Sequence, residues 1–227
     1  MATQVTLTAS DAHELAAYRA EPAGNARGGV LVIQEIFGVN AHIRSVCDDY
    51  AGHGYVALAP ALFDRVERGV ELGYDRDAMQ RGLGLVMKLD PKQTLADLQA
   101  GIDALAQVGT VGVVGYCYGG SLAWAAASRL SGVAAASCYY GSQIARQKDL
   151  QPRAPVILHF GEQDGSIPAS DIDALRAAHP DVPIYLYPAG HGFNCDLRGS
   201  YHSESAALAK QRTLELFGRY LHPSASR

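Results

Sequence analysis

Short apolar runs bounded by turn residues recur along the chain and alternate with amphipathic stretches. Near-continuous apolar runs are typical of strands that are buried on both faces, as the strands of a parallel sheet are. Strands are predicted at residues 28–36, 55–60, 110–116, 133–140, 154–160 and 183–189. Because these runs alternate with helical patterns, they predict an α/β fold in which a mostly parallel sheet carries helices on both faces.

Apolar residues at helical spacing mark the elements between these strands. The first such stretch runs from Ile43 to Tyr50 along one helical face, and Asn40 is its predicted N-cap. Further helices are predicted at residues 95–105, 170–179 and 204–221. Residues 61–94 are charged, contain glycine and show no strong period, so they are predicted to form a surface excursion. Residues 225–227 are expected to be loose.

Composition and charge narrow the classes of function. The 227 residues suit one domain, predicted to extend over residues 1–227. A net charge of -4 without a basic run argues against nucleic acid and anionic membrane surfaces as partners. No apolar run is long enough to cross a bilayer, and the N-terminus lacks the pattern of a signal peptide. The widely spaced cysteines, without a C-x-x-C pair, favour a reduced, cytoplasmic protein, and we expect a monomer.

The segment GYCYGG, residues 115–120, follows a Val-rich strand and opens an Ala-rich helix. This is the setting of a nucleophile elbow, with Cys117 where serine is more usual. Gly115 and Gly119 remove the Cβ atoms that would clash in so sharp a turn. The turn lifts the sulfur above the sheet beside a helix N-terminus, which favours a thiolate. Cys117 is therefore the predicted nucleophile, whereas the cysteines Cys47 and Cys138 are expected to be buried and inert.

Two later residues could complete a catalytic triad with this cysteine. Asp164 stands just past a buried strand, and His191 stands just past the next one, between two glycines. Both strand ends lie at the carboxyl edge of the sheet, where active sites of open α/β folds gather. The order nucleophile, acid, histidine is the order that an elbow enzyme requires. The group His191, Cys195, Asp196 and His202 matches no familiar zinc spacing, so no metal is expected.

A carboxylate, Glu35, ends the first buried strand. In an enzyme with a nucleophile elbow this loop supplies the second N–H of the oxyanion hole, so the predicted donors are the backbone N–H groups of Ile36 and Tyr118. Glu35 is then expected close to Cys117, where its negative charge disfavours a thiolate. We therefore expect Cys117 to rest mostly as a neutral thiol. The alternative is that Glu35 is an ordinary solvated carboxylate at a strand end.

Four segments, QEIFGVN, GYCYGG, FGEQDGSIP and AGHGFNCD, resemble the dienelactone hydrolase family (carboxymethylenebutenolidases) in their order and spacing. The resemblance extends over nearly the whole chain and implies an α/β-hydrolase fold. It also implies hydrolysis of dienelactones to maleylacetate in the degradation of chloroaromatics, without a metal or cofactor. By resemblance, Cys117 is the nucleophile, His191 the base and Asp164 its orienter. Glu35 then holds the resting thiol and deprotonates it when substrate binds.

One departure from the family pattern concerns recognition of the substrate carboxylate. Characterised members hold it with two arginines, one in the excursion and one four residues after the catalytic histidine. Arg76 or Arg81 could serve as the first, and Arg81 is the predicted substrate-binding residue. The second position is Cys195, and the nearest arginine is Arg198. Since a thiol cannot replace a bidentate guanidinium–carboxylate pair, the departure puts an anionic dienelactone in doubt more than the hydrolytic chemistry.

The sequence is therefore compatible with three functions. The first is a cysteine-dependent hydrolase of small lactones or activated esters that works through an acyl-enzyme. The second is an esterase or thioesterase that acts on a neutral acyl substrate. The third is a non-catalytic thiol-redox or binding protein that reuses the fold, because a fold does not fix a function.

Overall fold

A computed structural model describes residues 1–224, and the predicted loose segment 225–227 lies outside the described residues. Within the described part, the chain forms one sheet of eight strands and six α-helices. The strands are β1 (Ala2–Thr8), β2 (Glu14–Ala20), β3 (Gly29–Ile33), β4 (Val56–Pro60), β5 (Val111–Tyr116), β6 (Val133–Tyr139), β7 (Val156–Gly161) and β8 (Ile184–Tyr187). The helices are α1 (Ala41–Gly52), α2 (Arg76–Val86), α3 (Pro91–Leu105), α4 (Tyr118–Arg129), α5 (Ala169–Ala178) and α6 (Ser203–Tyr220).

The sheet has the strand order β1-β2-β4-β3-β5-β6-β7-β8. The strands from β4 to β8 in this order pair in parallel, while β1 pairs with β2 and β2 with β4 in antiparallel fashion. The prediction of a mostly parallel sheet is therefore confirmed. Because parallel strands all point the same way, the loops after β3, β5, β7 and β8 emerge at one carboxyl edge.

The helices cover both faces of the sheet, as the apolar runs predict. Gly29 in β3 faces Leu105 of α3. The next residue, Val30, points to the other face and pairs with Gly112 in β5, whose open side is filled by Phe217 of α6. Helices α3 and α6 therefore lie on opposite faces. None of the helices within the described residues has the length and apolar character that a bilayer crossing requires.

The sequence analysis missed β1 and β2. These strands form an antiparallel pair at the edge of the sheet; Leu7 is the one buried residue of β1, and the buried residues of β2 are interspersed with partly exposed ones. Such half-buried strands lack the near-continuous apolar runs from which the central strands were predicted. The prediction of Asn40 as an N-cap is confirmed, because its side chain accepts a hydrogen bond from the backbone N–H of Ile43.

Residues 61–94 are more ordered than a plain surface excursion. They contain a short 3-10 helix, Leu62–Arg65, and the whole of α2, whose N-cap Asp75 accepts a hydrogen bond from the N–H of Ala78. Apolar residues of this segment form a second buried cluster with Ile36 and Phe37, and its members are Phe63, Val70, Leu72, Leu85 and Leu89. The segment therefore packs over the loop that follows β3.

Candidate active site

The turn between β5 and α4 holds Cys117 in a strained backbone conformation. Its φ of 56° and ψ of -114° lie in a region that residues with a Cβ rarely adopt, at a cost of about 1–3 kcal/mol. A Cβ at Gly115 would collide with the carbonyl of Gly119, and one at Gly119 would collide with the carbonyl of Ile33. These glycines allow the predicted sharp turn, which places the Cys117 side chain at the carboxyl edge of the sheet.

The cysteines outside this turn have different surroundings. Cys47 and Cys138 are fully buried, and burial raises the pKa of both thiols well above the usual value. Cys117 is partly exposed, so a small molecule can reach its sulfur. The expectation that Cys47 and Cys138 are buried is confirmed.

Three predicted residues meet at the ends of β5, β7 and β8. The Nε2 atom of His191 lies 3.1 Å from the Sγ atom of Cys117, and its Nδ1 atom lies 2.7 Å from Oδ2 of Asp164. The other oxygen of Asp164 accepts a hydrogen bond from the backbone N–H of Ser166 at 2.8 Å. Asp164 is buried, with 5% of its surface exposed. This arrangement fixes the imidazole with Nε2 facing the sulfur, as a base for a thiol requires.

The proton affinity of His191 depends on both of its neighbours. Burial lowers the pKa of the His191 imidazole, but the hydrogen bonds to Asp164 and Cys117 outweigh burial and raise the pKa to about 10. At neutral pH the ring therefore keeps a proton. The protonated imidazole places a general acid next to the Cys117 sulfur.

The loop after β3 lies beside the elbow, as an oxyanion hole requires. A Cβ at Gly119 would meet the carbonyls of both Ile33 and Gln34, so the start of α4 lies directly against this loop. Among the described residues, neither the backbone N–H of Ile36 nor that of Tyr118 donates a backbone hydrogen bond. Tyr118 also begins α4, where the helix dipole favours negative charge. Both predicted donors therefore lack a backbone acceptor, and their role in an oxyanion hole stays a prediction.

Only half of the Glu35 carboxylate has a partner. The Nη1 atom of Arg198 lies 3.4 Å from Oε1 of Glu35, and the two groups form an ion pair. Oε2 of Glu35 has no hydrogen-bond partner within the part of the chain that the structure describes. The alternative of a solvated carboxylate is wrong, because 0% of Glu35 is exposed. Since Arg198 offsets its charge, Glu35 opposes a thiolate at Cys117 less than the sequence analysis assumes.

In the sequence, Arg198 is only the arginine nearest to Cys195, whereas in the structure it lies in the candidate site. Its guanidinium lies 5.7 Å from the ring centre of Phe37 and 5.8 Å from that of Tyr74, within range of a cation–π interaction. A Cβ at Gly192 would collide with this guanidinium, and Gly192 also has a φ of 77°. Gly192 therefore leaves the space that the Arg198 guanidinium occupies, a contact that no local sequence pattern indicates.

The arginines of the excursion lie elsewhere. The side chain of Arg81 is 54% exposed and forms an ion pair with Glu67. Arg76 begins α2 and is also exposed. The neighbour of Arg81, Gly82, packs directly against the carbonyl of Ile36, so α2 covers the loop of the predicted oxyanion hole. The role of Arg81 in substrate binding stays a prediction.

The structure does not bring His191, Cys195, Asp196 and His202 together as one metal site. The Nδ1 atom of His202 instead accepts a hydrogen bond from the N–H of Ser205 at the start of α6. Cys195 lies with Glu35 and His42, and the three side chains offer ligand atoms within 4.8 Å of one another. His42 is the member of this buried group that the sequence analysis missed.

Comparisons with known proteins give a consistent result. A family model described as "Dienelactone hydrolase family" matches residues 15–221. A Synechocystis sp. protein named "Putative carboxymethylenebutenolidase" is 37% identical over 226 residues, covering 90% of this chain and 91% of that protein. The Pseudomonas putida protein named "Carboxymethylenebutenolidase" is 31% identical over 222 residues, covering 93% of this chain and 94% of that protein. A crystal structure of a "Putative Dienelactone Hydrolase" from Klebsiella pneumoniae has 33% identity and a TM-score of 0.83, covering 97% of this chain and 99% of that one.

Proposed function

The chain belongs to the dienelactone hydrolase family, and from this premise we propose that it hydrolyses small lactones and activated esters through a thioester on Cys117. It is a lactone or ester hydrolase with the α/β-hydrolase fold. The observation that carries the proposal is the line of contacts from Asp164 to His191 at 2.7 Å and from His191 to the Cys117 sulfur at 3.1 Å.

The first step is attack of the Cys117 sulfur on the substrate carbonyl carbon, after the thiol has given its proton to Glu35. A C–S bond forms, and the carbonyl oxygen becomes an oxyanion that accepts hydrogen bonds from the N–H groups of Ile36 and Tyr118. The intermediate then collapses as the C–O bond to the leaving group breaks. The protonated His191 gives its Nε2 proton to the leaving oxygen, which produces a thioester, a hydroxyl group and a neutral imidazole.

The second step returns the enzyme to its resting state. Neutral His191 takes a proton from a water molecule, and the hydroxide attacks the thioester carbonyl carbon. The same two N–H groups stabilise the second oxyanion, and collapse expels the Cys117 sulfur as a thiolate. The product is a carboxylic acid, His191 is again protonated, and the Cys117 thiolate takes back the proton held by Glu35. Asp164 holds the ring in one orientation through both steps and stabilises its positive charge.

Glu35 and Arg198 extend this proposal to the substrate. A substrate carboxylate that binds the guanidinium of Arg198 competes with Oε1 of Glu35, which lies at 3.4 Å. Glu35 then loses the partner that offsets its charge, and its carboxylate becomes a stronger proton acceptor. We propose that this exchange frees Glu35 to remove the thiol proton, so that an anionic lactone promotes its own hydrolysis. Arg198 thus takes the place of the arginine that is absent at Cys195.

A matched pair of substrates tests the proposal. One is a dienelactone with a free carboxylate, and the other is the methyl ester of that carboxylate. We expect the protein to hydrolyse both, with the higher kcat/KM for the anion, and we expect Cys117→Ala to hydrolyse neither. A preference for the methyl ester would favour the neutral-acyl alternative. Failure to hydrolyse either compound or p-nitrophenyl acetate would contradict the proposal.

A further inference from the structure

Three side chains of types that commonly ligate metals lie close together in the interior, beside the candidate active site. Glu35 lies in the loop after β3, His42 in the first turn of α1, and Cys195 in the loop after His191. One ligand atom from each lies within 4.8 Å of the other two. The exposed fractions are 0% for Glu35, 4% for His42 and 0% for Cys195, so solvent does not hydrate these groups.

Two atoms of this group have no protein partner. Among the described residues, Oε2 of Glu35 and Nε2 of His42 are buried without a hydrogen bond. A buried polar atom left unsatisfied costs about 1–3 kcal/mol, and native proteins rarely leave two such atoms together without a ligand or water. These free atoms therefore point to something that binds between them.

The second polar atom of each of these two side chains already has a partner. Nδ1 of His42 lies 3.1 Å from Oδ1 of Asp196, and Oε1 of Glu35 is paired with Arg198. A histidine that ligates a metal commonly donates its second ring N–H to a carboxylate, which orients the ring and makes the free nitrogen a better ligand. His42 and Asp196 also line a cavity of about 240 Å³.

We propose that Oε2 of Glu35, Nε2 of His42 and Sγ of Cys195 bind one thiophilic divalent cation, of which Zn²⁺ is the representative. Oxygen, nitrogen and sulfur are the ligand atoms that zinc takes in proteins, and three protein ligands leave a fourth position open. In a tetrahedral zinc site, ligand atoms are about 3.3–3.6 Å apart, so the three groups need to close by about 1 Å.

The charges around the site fit a dication. The form in which a cysteine ligates zinc is the thiolate. Binding therefore releases one proton and forms a thiolate. The two positive charges of the cation and that of Arg198 are then matched by Glu35, the Cys195 thiolate and Asp196. Because the cation occupies Glu35, we expect it to inhibit the hydrolase.

Cobalt binding tests the site without relying on activity. Co²⁺ is titrated into Cys117→Ser, which lacks the nucleophile, and into the double variant Cys117→Ser/Cys195→Ser. We expect Cys117→Ser to bind one Co²⁺ per chain with a thiolate-to-cobalt absorption band, and we expect the double variant to lose that band. Absence of binding to Cys117→Ser would overturn the proposal. A band that persists without Cys195 would do the same, because the ligand would lie elsewhere.

A second variant keeps the test decisive if the buried substitution disturbs folding. The Asp196 side chain is 59% exposed, so Asp196→Asn leaves the interior intact. We expect it to weaken Co²⁺ binding in the Cys117→Ser background by roughly 10–100-fold, the usual effect of losing a carboxylate behind a ligating histidine. Asp173→Asn, at a side chain that is 72% exposed, is the matched control and should leave the Kd unchanged. Equal Kd values for the two variants would contradict the role assigned to His42.

Discussion

Two loops at the carboxyl edge of the sheet each hold a buried carboxylate, and they hold it differently. In the loop after β7, Asp164 accepts hydrogen bonds on both oxygens, from His191 at 2.7 Å and from the backbone of Ser166 at 2.8 Å. In the loop after β3, Glu35 has one contact of 3.4 Å to Arg198 and, among the described residues, no hydrogen bond to its second oxygen.

This difference indicates different tasks for the two carboxylates. A buried carboxylate with both oxygens satisfied stays in one place, which suits a group that orients the imidazole of His191. A buried carboxylate with one weak contact and one free oxygen can change partners at little cost, which suits a group that accepts a proton or a cation. Asp164 is thus the fixed member of the site and Glu35 the adjustable one.

The largest expected effect comes from the fixed carboxylate. Asp164→Asn keeps an oxygen for the N–H of Ser166 but removes the charge that stabilises the imidazolium. We expect kcat to fall by ~10²–10⁴ with little change in KM. Steady-state kinetics on an alkyl ester measures both, and thermal unfolding checks that the fold is intact. Wild-type turnover in this variant would remove Asp164 from the triad.

Changing the adjustable carboxylate should have two opposed effects. Glu35→Gln keeps an oxygen for Arg198 but removes the negative charge beside Cys117. We expect kcat to fall by about 10²-fold because a proton acceptor is lost. We also expect iodoacetamide to alkylate Cys117 faster, because a thiolate is no longer opposed.

Mass spectrometry confirms that the label is on Cys117 in both proteins, and Cys117→Ser is the control for labelling elsewhere. If Glu35→Gln changes neither turnover nor the labelling rate, Glu35 has no part in controlling the thiol.

The partner of Glu35 should act on substrate binding rather than on turnover. Arg198→Met keeps an apolar stem against Phe37 and Tyr74 but removes the guanidinium. We expect KM for an anionic dienelactone to rise by ~10–100-fold, the loss of a charge-assisted hydrogen bond, while KM for its methyl ester stays the same.

Arg81→Ala is the matched control for Arg198→Met, because it removes an exposed guanidinium. Should Arg81→Ala raise KM for the anion while Arg198→Met does not, Arg81 would be the carboxylate-binding residue that the family resemblance implies.

The smallest expected effect is a shift in pH dependence. Above its pKa, His191 lacks the proton that it gives to the leaving oxygen, so kcat/KM should fall as pH rises through about 10. Asp164 helps to raise this pKa, so Asp164→Asn should move the fall to lower pH by roughly one unit or more. Glu35→Gln should leave it in place. The substrate is an alkyl ester, because its leaving group needs the proton. If kcat/KM of Asp164→Asn falls at the same pH as that of the wild type, this assignment is wrong.

The central strands and the contact between Cys117 and His191 could be predicted, because the sequence patterns that indicate them are local. Buried parallel strands read as apolar runs, and the strand ends then bring Cys117, Asp164 and His191 to one edge. The oxyanion donors Ile36 and Tyr118 follow from the same loops. The catalytic roles of these residues, the cytoplasmic location and the monomeric state stay predictions.

The features that were missed depend on contacts between distant parts of the chain. Helix α2 has a capping Asp75, but only Gly82 and Leu85 of this helix are buried, and Gly82 packs on Ile36 in the loop that the helix covers. Arg198 reaches Glu35 only because Gly192 leaves room for it. His42 is an ordinary first-turn residue until Cys195 and Glu35 lie beside it. No periodicity along the chain records such contacts.

The central claim is that Cys117 carries the acyl group during hydrolysis. Rapid acid quenching of the enzyme with p-nitrophenyl acetate, followed by peptide mass spectrometry, measures this most directly. We expect an acetyl group on the peptide that contains Cys117, held as a hydroxylamine-sensitive thioester, and more of it in Asp164→Asn if deacylation is slowed. Turnover without an acetyl group on Cys117, together with hydrolysis by Cys117→Ala, would contradict the account.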